Sequence, residues 1–387
     1  MRLSEASRLA LRQVRGAFVR TYASTSAELT TITLPEDSII PHNIEPPSLE
    51  VQVTKEEVVD LYKQMVTIRR METTADGLYK SKQIRGFCHL CTGQEAIPVG
   101  LEAAITPDDH VITAYRCHGF AMVRGATPYQ VLAELMGKVT GLSRGKGGSM
   151  HMFAKNFYGG NGIVGAQVPV GTGIAFTQKY LNTGAATFAL YGDGAANQGQ
   201  VFEAYNMSAL WKLPIVYVCE NNLYGMGTSA NRSSANSKYY TRCEYIPGLR
   251  MNGMDVLAVR QACKFAKDWV TAEKGPLILE MVTYRYGGHS MSDPGTTYRT
   301  REEISHMRSA NDPITGLRQR ILDHNLVSDT ELKQIEKDAR SYIEEEKQKA
   351  LKDDFPSPSD LYTDVYLKGS EGKPLRGRER EEIFYFQ

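Results

Sequence analysis

The stretch from residue 187 to residue 222 constrains the fold more than any other part of the sequence. The apolar run 187–191 predicts a buried strand of a parallel sheet, and the apolar run 215–219 predicts a second one. Residues 197–211 between them carry an apolar stripe at helical spacing. The three segments therefore predict one right-handed βαβ unit, in which the carboxyl ends of both strands lie side by side. Open α/β sheets bind their ligands at that edge.

Polar residues and glycines follow both predicted strands. Gly192, Asp193 and Gly194 come directly after the first strand, and Asn222 and Tyr224 come after the second. The glycines allow the backbone to turn sharply and to approach a bulky anion. Mg²⁺ prefers oxygen ligands, which the side chains of Asp193 and Asn222 and the backbone carbonyl of Tyr224 can supply. The sequence thus predicts a magnesium and diphosphate site, the alternative being a tight turn followed by an unrelated asparagine loop.

Several motifs together resemble the alpha subunits of thiamine diphosphate-dependent 2-oxo acid dehydrogenases. The Gly-Asp-Gly at 192–194 with the downstream Asn-Asn resembles the thiamine diphosphate motif of that family. Segments 86–96, 115–119 and 285–294 are similar to the members that act on pyruvate, and the match covers about residues 50 to 345 in order. The resemblance implies an α/β thiamine diphosphate-binding fold, with a parallel sheet and helices on both faces.

The function that the resemblance implies is oxidative decarboxylation of pyruvate, with reductive acetylation of lipoyl groups. The same chemistry on branched-chain 2-oxo acids is the nearest alternative, because the size of the side-chain pocket is not readable from the sequence. A non-catalytic scaffold subunit that kept the fold is a second alternative. It is disfavoured because the residues that the chemistry needs are all present, namely His89, Arg116, Asp193, Asn222 and His289.

The resemblance also implies roles for individual residues. It assigns the cofactor and its metal to Tyr115, Arg116, Gly162, Val164, Asp193, Gly194, Ala195, Asn222, Tyr224 and His289. It places His89 at the substrate and His289 at the cofactor diphosphate and the active-site channel, so these two are the predicted catalytic residues. Both stand among glycines and polar residues, which is typical of loops, and an imidazole can donate to a carboxylate or move a proton near neutral pH. The competing interpretation of His89 and His289 is that each is a solvent-facing loop histidine. His118 and His151 are weaker candidates for a catalytic role.

The chain accounts for only the diphosphate half of such a site. No second, pyrimidine-binding domain is recognisable in the sequence, so we expect a partner subunit to supply the glutamate that contacts the aminopyrimidine ring. The resemblance implies a heterotetramer of two alpha and two beta subunits. It further implies a lipoyl-bearing dihydrolipoyl acetyltransferase as acceptor, and a regulatory kinase and phosphatase.

Ser290 stands at the position where the family is inhibited by serine phosphorylation. A phosphate there would add a charge of about −1.5 to −2 beside a diphosphate site and would disorder the loop. Two residues depart from the family pattern: Gly287 stands where many relatives carry histidine, and Thr297 where some carry a second phosphorylated serine. Whether Thr297 or Ser229 is phosphorylated therefore stays open.

Composition divides the chain into four parts. Residues 1–22 hold five arginines and a single acid, which predicts a mitochondrial transit peptide and a matrix protein that starts near Ala23; a basic surface helix is the alternative. Residues 23–50 predict an extended, proline-containing arm, and residues 346–387 predict a peripheral tail. Residues 51–345 between them predict the α/β domain, whose first helix begins with a capping box of Thr54 and Glu57. The formal charge of +1 and the lack of a long apolar run give no reason to expect a nucleic-acid or membrane partner.

Two motifs have competing interpretations. Cys88 and Cys91 form a C-x-x-C pair, but without a second pair we interpret them as packing residues and not as a redox or zinc site. Residues 160–165 match G-x-G-x-x-G, yet no apolar strand immediately precedes them and residues 135–192 contain no acid, which disfavours a dinucleotide site. The glycine-dense, acid-free stretch 141–173 suits an anion instead.

Overall fold

The computed structural model describes residues 28–365 and two short strands near the end of the chain. The predicted transit peptide lies outside the described residues. The strands are β1 (Thr30–Thr33), β2 (Ile39–His42), β3 (Glu50–Val53), β4 (His110–Ala114), β5 (Phe157–Asn161), β6 (Thr187–Gly192), β7 (Ile215–Asn221), β8 (Tyr224–Gly225), β9 (Thr228–Ser229), β10 (Gly248–Asn252), β11 (Leu277–Val282), β12 (Leu375–Arg376) and β13 (Ile383–Phe384).

The α-helices in the described ranges are α1 (Lys55–Lys80), α2 (Ala96–Ala104), α3 (His118–Val123), α4 (Pro128–Leu135), α5 (Gln167–Leu181), α6 (Gly199–Leu210), α7 (Ala230–Ser233), α8 (Val256–Thr271), α9 (Arg301–Ala310), α10 (Pro313–Asp323) and α11 (Asp329–Lys352). Among them, none combines the length and the apolar character that a membrane-crossing helix needs.

A mostly parallel sheet forms the centre of the molecule. Its seven strands run in the order β2-β10-β11-β7-β6-β4-β5, and every neighbouring pair is parallel except β2 with β10. The predicted βαβ unit is confirmed, because β6 and β7 pair in parallel with Gly192 opposite Glu220 and α6 connects them. After β4 the chain adds β5 on one side of that strand. It then crosses to the other side of β4 and adds β6 and β7 there. The gap between β4 and β6 is thus the switch point, where such sheets hold ligands.

Helices cover both faces of this sheet, as predicted. Along β6, Phe188 and Leu190 point into one core while Ala189 and Tyr191 point into the other, which is the period of a strand buried on both sides. Helices α5 and α6 pack on the face of Ala189, whereas α2 and α8 pack together on the opposite face. The fold class is therefore α/β, with two helical layers around one sheet.

The segment predicted as an extended arm is built into this fold. Strand β2 is the antiparallel edge strand of the main sheet, and β1 pairs with β3. Ile32, Leu34 and Ile39 are buried in the main core. Pro41 fits within β2 because an edge strand has one side whose N–H groups need no partner in the sheet. Pro41, one of the prolines in the predicted arm, thus lies in a strand at the sheet edge.

The predicted boundary of the tail at residue 346 falls inside α11. Glu346 and Ala350 are buried on the inner face of that helix, and the following segment continues along the domain, with Lys138 Nζ donating to the carbonyl of Asp353 at 2.8 Å. The sequence of α11 is strongly charged, and its composition alone did not indicate that one face of the helix is buried. At the other end, Thr54 caps α1 by accepting from the N–H of Glu57, but the box is not closed, because the Glu57 carboxylate pairs with Arg260 instead.

Candidate active site

Asp193 lies at the carboxyl end of β6 and is almost completely buried, with an exposed fraction of 1%. Its Oδ2 atom has no hydrogen-bond partner among the described residues. Burial raises the pKa of this carboxyl to about 6, against the opposing effect of the Arg285 charge. The loops after β6 and β7 approach each other closely here, since a Cβ atom on Gly225 would lie 3.3 Å from the Cα atom of Gly194. A side chain at residue 225 would therefore crowd this contact.

Asn222 and Tyr224, the other predicted metal ligands, meet at the guanidinium group of Arg285. Its Nε donates to Asn222 Oδ1 at 3.2 Å, and its Nη2 donates to the carbonyl oxygens of Tyr224 at 3.3 Å and Met226 at 2.9 Å. The positive charge of Arg285 also acts on the Asp193 carboxyl and lowers its pKa, against the larger effect of burial. The structure thus brings the three predicted ligands to one corner of the sheet. Sequence reasoning did not single out Arg285, although it lies inside one of the motifs that carried the resemblance.

The residues at this corner fit a diphosphate-bound magnesium ion. Mg²⁺ is usually held by one or two carboxylates together with phosphate oxygens and water, and Asp193 offers a buried carboxylate oxygen without a partner. The oxygens of Asn222 and Tyr224 each keep a second lone pair beside their bond to Arg285. Within the described ranges, no cluster of three or more His, Cys, Asp or Glu side chains could hold a metal. Any metal here would depend on mixed oxygen ligands.

His89 and His289 face each other across the mouth of the switch point. Their ring centroids are 5.2 Å apart, and the Tyr115 ring packs against both, at 4.6 Å from His89 and 5.4 Å from His289. Burial, reinforced by the Arg116 charge, lowers the pKa of His89 to about 3 and that of His289 to about 4. Both imidazoles are therefore neutral near pH 7. The Nδ1 atom of His89 is buried and has no partner among the described residues.

Arg116 joins the two loops that carry these histidines. It is buried, its Nη1 donates to the carbonyl of Leu90, and its Nη2 donates to the carbonyl of His289 at 3.0 Å. The sequence predicted that this guanidinium pairs with a phosphate. In the structure two of its nitrogens donate to backbone carbonyls, which fixes the distance between the loops.

Gly162 and Val164 lie in the loop after β5, beside the turn that follows Asp193. The carbonyl of Val164 accepts a hydrogen bond from Gln198, and Ala195 is buried in the short 3₁₀ turn after Gly194. One expectation fails here: strand β5 does lead directly into the G-x-G-x-x-G match, and α5 follows it. The absence of an acid is what still argues against a dinucleotide.

Glu134 satisfies several of the amides that we expected to be free for an anion. This fully buried carboxylate accepts from the backbone N–H groups of Ser143 at 2.8 Å, Gly145 at 2.9 Å, Gly147 at 2.7 Å and Gly148 at 3.0 Å. The expectation is therefore wrong for the first part of the glycine-rich stretch. Glu134, whose carboxylate accepts from these amides, stands directly before the acid-free stretch 135–192. Counting acids within that stretch therefore did not reveal it.

The loop around Ser290 is held together by hydrogen bonds between its own residues. The Ser290 side chain is buried and shares a hydrogen bond of 2.9 Å with Ser292. Asp293 organises the loop by accepting from the N–H of His289 at 2.6 Å, the N–H of Gly295 at 2.8 Å and the hydroxyl of Tyr298 at 2.5 Å. Ser292 and Thr297 are exposed. Phosphorylation of Ser290 would require this loop to open.

The cysteines belong to the cores of the protein. All six are buried and unpaired, including Cys88 and Cys91 of the C-x-x-C motif. Burial raises the pKa of both thiols far above its ordinary value, with a further contribution from the nearby Glu72 carboxylate. Thiols of this kind are poor nucleophiles and poor metal ligands.

Comparison with known proteins gives one consistent result. Residues 63–359 match the family described as Dehydrogenase E1 component. The mitochondrial pyruvate dehydrogenase E1 component subunit alpha of Saccharomyces cerevisiae is 58% identical over 365 residues, which cover 93% of this chain and 86% of the relative. The corresponding subunit of Chaetomium thermophilum is 56% identical, covering 95% and 90%. Subunit alpha-1 of Arabidopsis thaliana is 52% identical, covering 99% and 98%.

Proposed function

This chain belongs to the dehydrogenase E1 component family, and we propose that it works as the alpha subunit of a mitochondrial pyruvate dehydrogenase. In that role it decarboxylates pyruvate and passes the acetyl group to a lipoyl group. Curated relatives at 52–58% identity carry this name. The observation in the structure that supports it best is the buried, unpartnered Oδ2 atom of Asp193 at the carboxyl edge of the sheet.

Thiamine diphosphate, when bound, supplies the electron sink that decarboxylation of a 2-oxo acid requires. Asp193, Asn222 and the carbonyl of Tyr224 hold its magnesium ion. The remaining cofactor contacts come from the carboxyl edge and the loops around it, namely from Tyr115, Arg116, Gly162, Val164, Gly194, Ala195 and His289. A diphosphate would bring negative charge to a corner where Arg116 and Arg285 are already buried, which favours its binding there.

The two histidines act as neutral hydrogen-bonding groups. His89 contacts the substrate through its imidazole, which keeps a ring nitrogen without a partner among the described residues, and a ring N–H donates to the carboxylate or the oxo group of pyruvate. His289 stands opposite and closes the channel together with Tyr115. Because their protonated forms are disfavoured by burial, neither ring competes as a cation with the arginines for the diphosphate.

The site is completed by other chains. A beta subunit supplies the glutamate at the aminopyrimidine ring, two copies of each subunit assemble, and a lipoyl-bearing dihydrolipoyl acetyltransferase accepts the acetyl group. A kinase switches the enzyme off by phosphorylating Ser290 once its loop opens, and a phosphatase reverses this. Residues 1–22 are removed on import, so the mature chain begins near Ala23 in the matrix.

Co-expression with a cognate beta subunit tests this proposal. We expect the complex to decarboxylate pyruvate much faster than 3-methyl-2-oxobutanoate, and thiamine diphosphate with Mg²⁺ to raise its melting temperature, since a ligand at 100 times its Kd stabilises by about 2.7 kcal/mol. Faster turnover of the branched substrate would instead assign the chain to branched-chain 2-oxo acids. Neither turnover nor thermal stabilisation in an assembled complex would indicate a scaffold and refute the proposal.

A further inference from the structure

Behind His89 lies a polar chain that is entirely inside the protein. Glu72 of α1, His118 at the start of α3 and Ser149 in a short 3₁₀ turn come from three distant segments. Their exposed fractions are 0%, 0% and 4%. His118 Nδ1 lies 3.0 Å from Glu72 Oε1, and His118 Nε2 lies 2.9 Å from Ser149 Oγ. The order carboxylate, imidazole, hydroxyl is that of a catalytic triad, but here the Ser149 hydroxyl is taken up by two hydrogen bonds inside the protein, one with His118 and one from the N–H of His89.

The chain ends on the backbone of the predicted substrate-binding histidine. The N–H of His89 donates to Ser149 Oγ at 3.0 Å, and the N–H of Cys91 donates to Glu72 Oε1 at 3.0 Å. One end of the polar chain therefore holds residue 89 and the other holds residue 91. Between these two anchors the carbonyl of Leu90 accepts from Arg116.

The positions of the protons follow from the chemistry of the donors. A backbone N–H can only donate, so Ser149 Oγ accepts from His89, and it bonds to His118 Nε2 as donor when the ring is neutral and as a second acceptor when the ring is protonated. The other ring nitrogen, Nδ1, then carries its hydrogen toward Glu72. Burial by itself raises the pKa of Glu72, but the charge that His118 carries when protonated, the hydrogen bond from His118 and the N–H of Cys91 outweigh it and lower that pKa. The carboxylate is thus ionised, and each link of the chain has a donor and an acceptor.

The turn that carries Ser149 is itself held in place. The N–H groups of Gly147 and Gly148, immediately before Ser149, both donate to Glu134. In contrast, the side chain of His89 has a free Nδ1 atom and only ring contacts with Phe87, Tyr115 and His289. The backbone of His89 is therefore fixed by hydrogen bonds, while its imidazole is left available on the side of the site.

We infer that Glu72, His118 and Ser149 are positioning residues, which hold the backbone of His89 so that its imidazole meets the substrate in one orientation. The inference rests on the proposed function, in which His89 contacts pyruvate. None of the three touches substrate or cofactor. They act through His89 alone, and a displacement of about 1 Å at such a residue can lower a rate by about 100-fold.

Ser149→Ala in the assembled alpha and beta complex tests the inference, because it removes one hydroxyl from the chain. The matched control is Ser208→Ala, which removes an equally buried hydroxyl that donates to the carbonyl of Tyr205 in α6 and also interacts with Tyr217 of β7, on the opposite face of the sheet from His89. We expect Ser149→Ala to lower kcat for pyruvate by about 10- to 100-fold, with half-saturation by thiamine diphosphate changed less than about twofold. The control should keep the wild-type kcat.

A second measurement reports on His89 without relying on activity. Amide hydrogen exchange of the peptide that spans residues 87–92 should be faster in Ser149→Ala and unchanged in Ser208→Ala. His118→Asn, which keeps a donor toward Glu72 but removes the ring nitrogen that bonds to Ser149, should give the same result if Ser149→Ala does not assemble. If the exchange stays at the wild-type rate, or if only the melting temperature falls while kcat holds, the three residues are merely structural and the inference is overturned.

The two proposals can fail separately. A wild-type complex that does not turn over pyruvate would refute the proposed function, yet the exchange of residues 87–92 would still decide whether the buried chain holds His89. Normal wild-type turnover together with unaltered exchange in both variants would refute the positioning role alone.

Discussion

Three buried polar atoms at the carboxyl edge of the sheet have no hydrogen-bond partner among the described residues: Oδ2 of Asp193, Nδ1 of His89 and Nη1 of Arg285. A buried polar atom that lacks a partner costs about 1–3 kcal/mol. A fold keeps several such atoms in one region only where something else offsets the cost. An anionic ligand with a divalent cation offers a partner to each of them, which explains why these side chains are tolerated together.

Asp193→Asn should test two effects of the buried carboxylate separately, namely the destabilisation of the ligand-free protein and the binding of magnesium. We expect the ligand-free complex to melt at the same or a higher temperature, because a neutral amide is easier to bury than an unpaired carboxylate. The increase in melting temperature with thiamine diphosphate and Mg²⁺ should disappear, and kcat should fall by about 100-fold or more. Asp108→Asn, at an exposed acid, is the control. A variant that still responds to the cofactor would show that Asp193 is not a metal ligand.

His289 should make the protein less stable in acid. In the unfolded chain this side chain takes up a proton near its ordinary pKa of 6.5, whereas burial and the Arg116 charge lower the folded pKa to about 4. The unfolded state therefore binds more protons between these values, and stability falls as the pH decreases through that window. His289→Gln should flatten the fall of the melting temperature between pH 6.5 and 4, while the exposed His306→Gln should not. A slope that is the same in both variants would contradict the assignment.

The residues that could be predicted are those whose signal is local. Asp193 stands between two glycines directly after one apolar run, and Asn222 stands shortly after the next, so their place at the sheet edge follows from neighbouring residues alone. Arg285, Glu72 and Ser149 gave no such signal. Their partners come from distant segments, as Ser149 does for His118 and Asn222 does for Arg285, and a single sequence does not show which segments meet.

At the scale of elements, the same distinction separates β6 and β7 from β2. The first two are continuous apolar runs and were predicted, whereas β2 contains a proline and becomes a strand only through its pairing with β10. Glu134 is a similar case, because the sequence shows a glycine-rich loop but not the carboxylate that fills it. Long-range pairing decides the structure of both segments.

Strand β2 should contribute to stability through one face only. Ile39 is buried in the main core, with an exposed fraction of 4%, whereas Ile40 is only half-buried. Ile39→Ala should lower the free energy of unfolding by about 2–4 kcal/mol, seen as a clear decrease in melting temperature. The neighbouring Ile40→Ala is the matched control and should have a much smaller effect. Equal effects of the two changes would mean that β2 does not pack on the sheet as described.

At the scale of the whole molecule, one side carries large apolar side chains that the described part of the chain leaves exposed. They lie on α5, on α6 and at the end of α6, and comprise Val170, Phe176, Tyr180, Leu181, Met207, Leu210 and Trp211. Phe176 is the centre of the group, with its ring 6.3 Å from Tyr180 and 5.6 Å from Trp211. Contiguous apolar groups of this kind on a soluble protein mark interaction sites, and the proposed function requires a partner subunit.

Phe176→Lys should therefore impair assembly with the beta subunit and leave the fold of the alpha chain intact. The side chain is 47% exposed, so a lysine fits in the free chain, but at a closed interface its charge would be buried without a partner. Tyr342→Lys is the matched control, an aromatic residue that is 41% exposed on α11, away from this group. Sedimentation of the co-expressed subunits should show separate chains for the first variant and a heterotetramer for the second. Since the proposed function takes the glutamate for the aminopyrimidine ring from the beta subunit, pyruvate turnover should be lost together with assembly. If Phe176→Lys assembles like the wild type, the partner binds elsewhere and this apolar group needs another explanation.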